Sequence, residues 1–165
     1  MDNNYIFQYW EAIQDGTVTV GKWIKTIYEI LVNGLKSGKW DFDEEKANKA
    51  INFIENFCHH SEGRNDLLKL ELWQKAIVSA IFGIMDKRTG YRQFREVFIV
   101  VARKNGKTLF AAAIAAYMAY IDGEYGAKVY FLAPKLDQAD LVYDAFYQIV
   151  QADDELDSIT KKRRS

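Results

Sequence analysis

Glu96-Val97-Phe98-Ile99-Val100-Val101-Ala102-Arg103-Lys104-Asn105-Gly106-Lys107-Thr108 decides how the rest of the chain is read. Its first seven residues form an almost continuous apolar, β-branched run, which is the pattern of a strand covered on both faces of a parallel sheet. Its last residues open an alanine-rich stretch over 107–121 that reads as a buried helix. Between the two lie three cations, an asparagine and a glycine. A phosphate cradle needs backbone N–H groups gathered at a helix N-terminus, a lysine reaching the β and γ phosphates, and a hydroxyl for Mg²⁺. Gly106, Lys107 and Thr108 supply these in order, and the helix dipole puts its positive end at the same place. The pattern G-x-x-x-x-G-K-[ST] has glycine where this chain has Val101, so the match is incomplete. The alternative, a solvated basic turn, leaves unexplained why a buried strand should run into three cations at the mouth of a buried helix.

Working outward, Gly123 and Gly126 break the helix, and Lys128-Val129-Tyr130-Phe131-Leu132-Ala133 reads as a second strand. Ala139, Val142, Tyr143, Phe146, Ile149 and Val150 then mark a further helix. Strand, helix, strand, helix is a βαβ crossover arrangement, so this part of the chain is α/β. Upstream, Leu72, Trp73, Ile77, Ile81 and Phe82 predict a helix over 70–85, followed by a turn-rich connection over 86–91. The chain changes character near residue 65. Before it, Trp23, Ile27, Leu31 and Leu35 recur at helical spacing with Gly38 as the stop. The next helix carries Ala47, Ile51, Ile54 and Cys58 as its stripe, with Asp41 or Asp43 as cap and Glu44 and Glu45 near the positive end of its dipole. Cys58-His59-His60 invites a zinc reading, but the usual C-x-x-C or H-x-x-x-H spacing is missing. A helix end leading into an exposed loop over 61–66 accounts for the same residues.

Composition narrows the class. Among 165 residues, 22 basic and 23 acidic side chains give a net charge of −1, so any DNA-facing surface must be a local patch. The 49% hydrophobic content against 27% charged residues is that of a folded rather than a disordered chain. A single cysteine excludes an internal disulfide framework and suits a reducing compartment. There is no basic segment followed by an apolar core at the N-terminus, so the expectation is not secreted. The apolar stretch over 109–121 falls short of the roughly 18–20 residues of a membrane span, so no transmembrane segment is expected.

The run Arg103-Lys104-Asn105-Gly106-Lys107-Thr108 follows a hydrophobic strand, with Leu70-Glu71-Leu72-Trp73-Gln74 upstream and Ala133-Pro134-Lys135-Leu136-Asp137-Gln138-Ala139 downstream. Together they resemble the ATPase domain of the tailed-bacteriophage large terminase subunit, most strongly over 66–150. The degenerate Walker A loop of that family often lacks the first glycine and carries a basic residue. The resemblance implies an α/β fold: an N-terminal helical region over 1–65, then over 66–165 the first part of a RecA-like P-loop (ASCE) ATPase domain with a parallel sheet. It implies ATP and Mg²⁺ as cofactors, held by Arg103, Lys104, Asn105, Gly106, Lys107 and Thr108. Lys107 would be the phosphate-binding lysine and Thr108 the magnesium-ligating hydroxyl. Arg103 would either act in cis on the γ-phosphate or bind phosphate in the ground state. Gln74 matches the adenine-reading glutamine, whereas the residue taken alone reads as an exposed helix position. Trp73 either stacks on the base or is a core aromatic. Lys135 and Gln138 either contact DNA phosphates or belong to a helix start capped by Asp137.

For the parent protein the resemblance implies ATP-driven movement of double-stranded viral DNA into a procapsid, in the cytoplasm of the infected host. Its partners would be the terminase small subunit, the portal protein and further copies of itself in a ring, and a separate nuclease domain would cut the concatemer. The chain shows no Walker B strand ending in Asp-Glu. Asp153-Asp154-Glu155 follow Phe146, Ile149 and Val150, which recur at helical spacing, and so read as a loop or helix end. The Walker B half and the nuclease are therefore expected outside these 165 residues, and this chain is expected to bind nucleotide with negligible turnover. Lys161-Lys162-Arg163-Arg164-Ser165 is a basic run that reads as a DNA contact or a disordered end. Two other classes remain open at this point: another helicase-like P-loop ATPase, and a non-enzymatic helical interaction module in which 103–108 is a surface turn.

Overall fold

The computed structural model describes residues 4–60 and 66–161. They form α1 (Tyr5–Gln14), α2 (Lys22–Lys36), β1 (Asp41–Phe42), α3 (Glu44–Phe57), α4 (Leu72–Gly83), β2 (Ile84–Met85), α5 (Lys107–Tyr120), α6 (Leu136–Ala152) and α7 (Asp154–Ile159). Two compact units result, one drawing its described residues from 4–51 and 70–98, the other from 52–69 and 99–161. α4 and β2 follow residue 65 in sequence, and their Ala76 and Ile84 join a core begun by α1 and α2.

In the first unit, Asn4 starts α1 by accepting the Ile6 N–H on Oδ1 at 2.9 Å. Ile6, Tyr9 and Ile13 then meet Tyr28, Leu31 and Val32 of α2, with the Tyr9 and Tyr28 rings edge to face at 4.7 Å. The expected stripe of α2 is rotated. Leu31 is buried, but Trp23 is 74% exposed and Ile27 is also exposed, because Tyr28 and Val32 face α1 instead. Gly38 does end the helix, its N–H donating to the Leu35 carbonyl at 3.1 Å. The chain then turns so that the Trp40 ring lies against Gly34, where an added Cβ would overlap Trp40 Cζ3 and Cε3. Gly34→Ala is accordingly expected to cost about 1–3 kcal/mol by overpacking, read as a lower Tm with unchanged helix content. A variant as stable as wild type would show that Trp40 moves aside freely.

β1 and β2 pair antiparallel, Asp41 with Met85 and Phe42 with Ile84. This two-residue ladder was not legible in the apolar periodicity, which ran the α4 helix through 85. Asp43 follows and is the cap of α3, accepting the Lys46 N–H at 3.0 Å, while Asp41 sits in the strand. Glu44 and Glu45 occupy the first turn, where the dipole favours them.

In the second unit, α5 packs on α6, and α7 packs on α6. α5 buries Phe110, Ala112, Ala113, Ala115, Ala116 and Tyr117, so it is covered over most of its circumference, as its near-uniform apolarity requires. Phe146 of α6 stacks on Tyr120 at 6.2 Å and lies 5.8 Å from the Phe131 ring. Asp153 caps α7, accepting the Glu155 and Leu156 N–H groups at 3.0 Å each. Asp153, Asp154 and Glu155 thus form a helix start.

The two expected strands are not formed. Residues 96–102 and 128–133 join no ladder among the described residues, and Phe98, Val100 and Leu132 are 93%, 80% and 91% exposed. The parallel sheet expected from the sequence is therefore absent from the described residues, whose one sheet is the β1–β2 pair. A β-branched run becomes a strand only when a neighbour satisfies its backbone groups and covers its side chains. Among the described residues no neighbour pairs with either run, although the Phe131 ring packs against Tyr143 and Phe146.

Candidate functional site

The loop after residue 101 leads into α5, which starts at Lys107. Gly106 is the N-cap of α5 at φ 64°, in the left-handed region that glycine enters without cost. No side chain caps the helix, so its first N–H groups remain available to an external acceptor. The Phe110 N–H closes the first turn on the Gly106 carbonyl at 2.9 Å. Lys107 stands at the first helical position and Thr108 beside it, half-buried. Arg103, Lys104 and Lys107 are all exposed, and no acidic side chain pairs with them among the described residues. Three cations without acidic partners among the described residues, at the positive end of a helix dipole, repel one another and the dipole alike. An anion with several negative oxygens relieves both.

Taken alone, Gln74 reads as an exposed helix position, and it is not exposed. It is buried at 7% exposure, and its Oε1 accepts the Glu71 N–H at 2.9 Å while the Glu71 side chain accepts from the Gln74 backbone. This is a capping box, and the Glu71-x-x-Gln74 spacing is the signal that announces it. Gln74→Ala is expected to cost about 1 kcal/mol through the lost cap. Gln74→Glu keeps the acceptor, so its Tm should match wild type. Equal melting of Ala and wild-type forms would remove the capping role. Trp73 is partly buried against the same core, which accounts for its packing. Trp73 and Gln74 belong to the first unit and the 103–108 loop to the second.

Lys135, not Asp137, is the N-cap of α6, and it makes no side-chain cap hydrogen bond. Asp137 sits two positions further in, where its charge meets the helix dipole without capping it. Lys135 and Gln138 are exposed on this first turn, the Gln138 N–H donating to the Lys135 carbonyl at 3.1 Å.

Cys58 is buried just past α3, its N–H on the Ile54 carbonyl at 3.2 Å and its own carbonyl accepting the Leu68 N–H at 2.7 Å. His59 bridges Leu67. Among the described residues no group of three or more potential metal ligands gathers. Burial, with the Asp153 carboxylate second, pushes the Cys58 thiol up to about 12. A raised folded-state value means full stabilisation below the unfolded value and loss above it. Denaturation at rising pH should therefore reveal stability lost from about pH 9 towards 12. Cys58→Ala should flatten the part of that loss due to the thiol; an unaltered alkaline profile would assign it elsewhere. Residues 61–65 of the expected 61–66 loop and residues 162–165 of the basic run lie outside the described residues.

No helix among the described residues is long and apolar enough to cross a membrane. No curated protein sequence matches the chain. Among solved structures it is similar to the crystal structure of the HK97 bacteriophage large terminase, with a TM-score of 0.61 and 26% identity. The match covers 73% of this chain and 24% of that one, so the chain spans about a quarter of that protein's length. The family model described as terminase large subunit, ATPase domain, matches residues 72–164, which include Trp73, Gln74, the whole 103–108 loop, Lys135 and Gln138. More than half of the chain thus falls within that match, and the chain belongs to the terminase large subunit ATPase-domain family.

Proposed function

We propose that this chain binds ATP with Mg²⁺ through Arg103–Thr108 and belongs to a motor that hydrolyses ATP to move double-stranded viral DNA into a procapsid. The observation that carries the reading is the trio Arg103, Lys104 and Lys107 at the uncapped N-terminus of α5, without acidic partners among the described residues. The donor set fits the group: amides and cations for phosphate oxygens, and the Thr108 hydroxyl for a hard cation. Lys107 holds the β and γ phosphates and Thr108 the magnesium. Lys104, Asn105 and Gly106 shape the loop, and Arg103 reaches the γ-phosphate. A bound Mg²⁺ supplies charge neutralisation between those phosphates.

Gln74 is the adenine-reading residue of this proposal, its side-chain amide offering a donor and an acceptor to a base edge. Trp73 lies beside it as the stacking candidate. Residues 66–165 are assigned to the first part of a RecA-like domain, preceded by a helical region over 1–65. A parallel sheet of such a domain would take 96–102 and 128–133 as strands, and the exposed Phe98, Val100 and Leu132 side chains support that assignment. Lys135 and Gln138, exposed at a helix N-terminus, are the proposed DNA-phosphate contacts. The small subunit, the portal protein, a ring of copies, the nuclease step and the host cytoplasm are proposed from family membership. The test is a thermal shift. Mg-ATP at about 100 times its Kd should stabilise the chain by about 2.7 kcal/mol. An unmoved Tm at millimolar Mg-ATP would leave 103–108 as a surface turn.

A further inference from the structure

Lys104 is the one non-glycine residue with a positive φ among the described residues, at 67°. The left-handed region crowds a Cβ against the backbone, so a long side chain there must be held by its surroundings. Its own ammonium does not hold it, being exposed with no acidic partner among the described residues. The neighbouring side chain does make the needed bonds. Asn105 Nδ2 donates to the Ala102 carbonyl at 3.2 Å and to the Arg103 carbonyl at 3.3 Å. One amide nitrogen with two protons thus ties together the two carbonyls that lead into Lys104.

We propose that Asn105 is a positioning residue for phosphate binding. Its amide braces the Ala102 and Arg103 carbonyls and holds Lys104 left-handed, so that the loop has its phosphate-accepting shape before nucleotide arrives. This rests on the nucleotide reading of the loop and changes the part Asn105 plays in it: it acts through the backbone rather than on phosphate. The brace also accounts for Val101. A loop with glycine at that place obtains its turn from backbone freedom, whereas this loop obtains it from a side chain that clamps carbonyls. Asn105 and Lys104 together replace the missing glycine.

The experiment is a double-mutant cycle on the 165-residue chain, read by titration with a fluorescent Mg-ATP analogue. Asn105→Ala is expected to weaken binding about tenfold when residue 104 is lysine, the size of a lost brace on one strained residue. In the Lys104→Gly background the same substitution should cost about threefold or less, because glycine takes the left-handed conformation unaided. An equal loss in both backgrounds would mean that Asn105 touches phosphate directly, and no loss in either would mean that it does nothing; both overturn the proposal. Amide exchange over 103–108 without nucleotide gives the second readout. It should speed up in Asn105→Ala and stay as wild type in Lys107→Ala, and equal rates in all three would also overturn the brace. The nucleotide reading itself fails on a different result: no saturable binding to wild type, or unchanged binding in Lys107→Ala.

Discussion

Lys107→Ala is expected to remove about half or more of the Mg-ATP thermal shift while leaving the nucleotide-free protein as stable as wild type, or slightly more so. The two halves of that result have separate causes. Lys107 is exposed at the first position of α5 with no acidic partner among the described residues, so its removal breaks no ion pair. A cation at a helix N-terminus opposes the dipole, and relief of that opposition favours the unliganded fold by a few tenths of a kcal/mol. With nucleotide bound, the same ammonium makes charge-assisted hydrogen bonds worth about 1.5–3 kcal/mol, so its loss should weaken binding by about 10–100-fold. Melting curves with and without Mg-ATP read both effects at once. A fall of several degrees in the nucleotide-free Tm would make Lys107 a structural residue. An unchanged shift with nucleotide would place the phosphates elsewhere.

Much of the second unit was legible because its signals are local. The alanine-rich run, Gly106 and the cations fix the start of α5 within the sequence itself, and α5 begins at Lys107 as read. The strands were not legible in the same way: β-branched composition records a preference, while pairing depends on a neighbour that a run of residues cannot specify. In the first unit, the helical spacing of Trp23, Ile27, Leu31 and Leu35 was correct, and the choice of buried face was not. Several rotations of α2 offer an apolar stripe, and contact with Tyr9 selects the one with Tyr28 and Val32 inside. Gln74 taken alone reads as an exposed helix position, and its burial has a related cause. A glutamine next to a tryptophan looks solvent-facing by polarity, but as the third residue of a helix headed by Glu71 it has a backbone N–H to accept. Asn105 shows the reverse limit: its type and place in the loop were legible, and its hold on two carbonyls required coordinates.

Phe110→Ala is expected to be the most damaging single change to the second unit, and to disable the loop without touching it. Phe110 is 4% exposed in the first turn of α5, and its N–H closes that turn on Gly106. Truncation of a buried phenylalanine costs about 3–5 kcal/mol, from lost transfer free energy and the cavity left behind. That is a large share of the roughly 5–15 kcal/mol by which domains are stable. The loss falls on the turn that carries Lys107 and Thr108, so amide exchange should rise over α5 and α6, and Mg-ATP affinity should fall with it. Phe110→Leu, which keeps most of the buried volume, should cost about 1 kcal/mol and retain binding. If instead Phe110→Ala melts within a degree of wild type, the start of α5 is held by its backbone turn alone. Loss of nucleotide binding with unchanged exchange over α5 would make Phe110 part of the ligand site, since the packing route predicts that the two readouts move together.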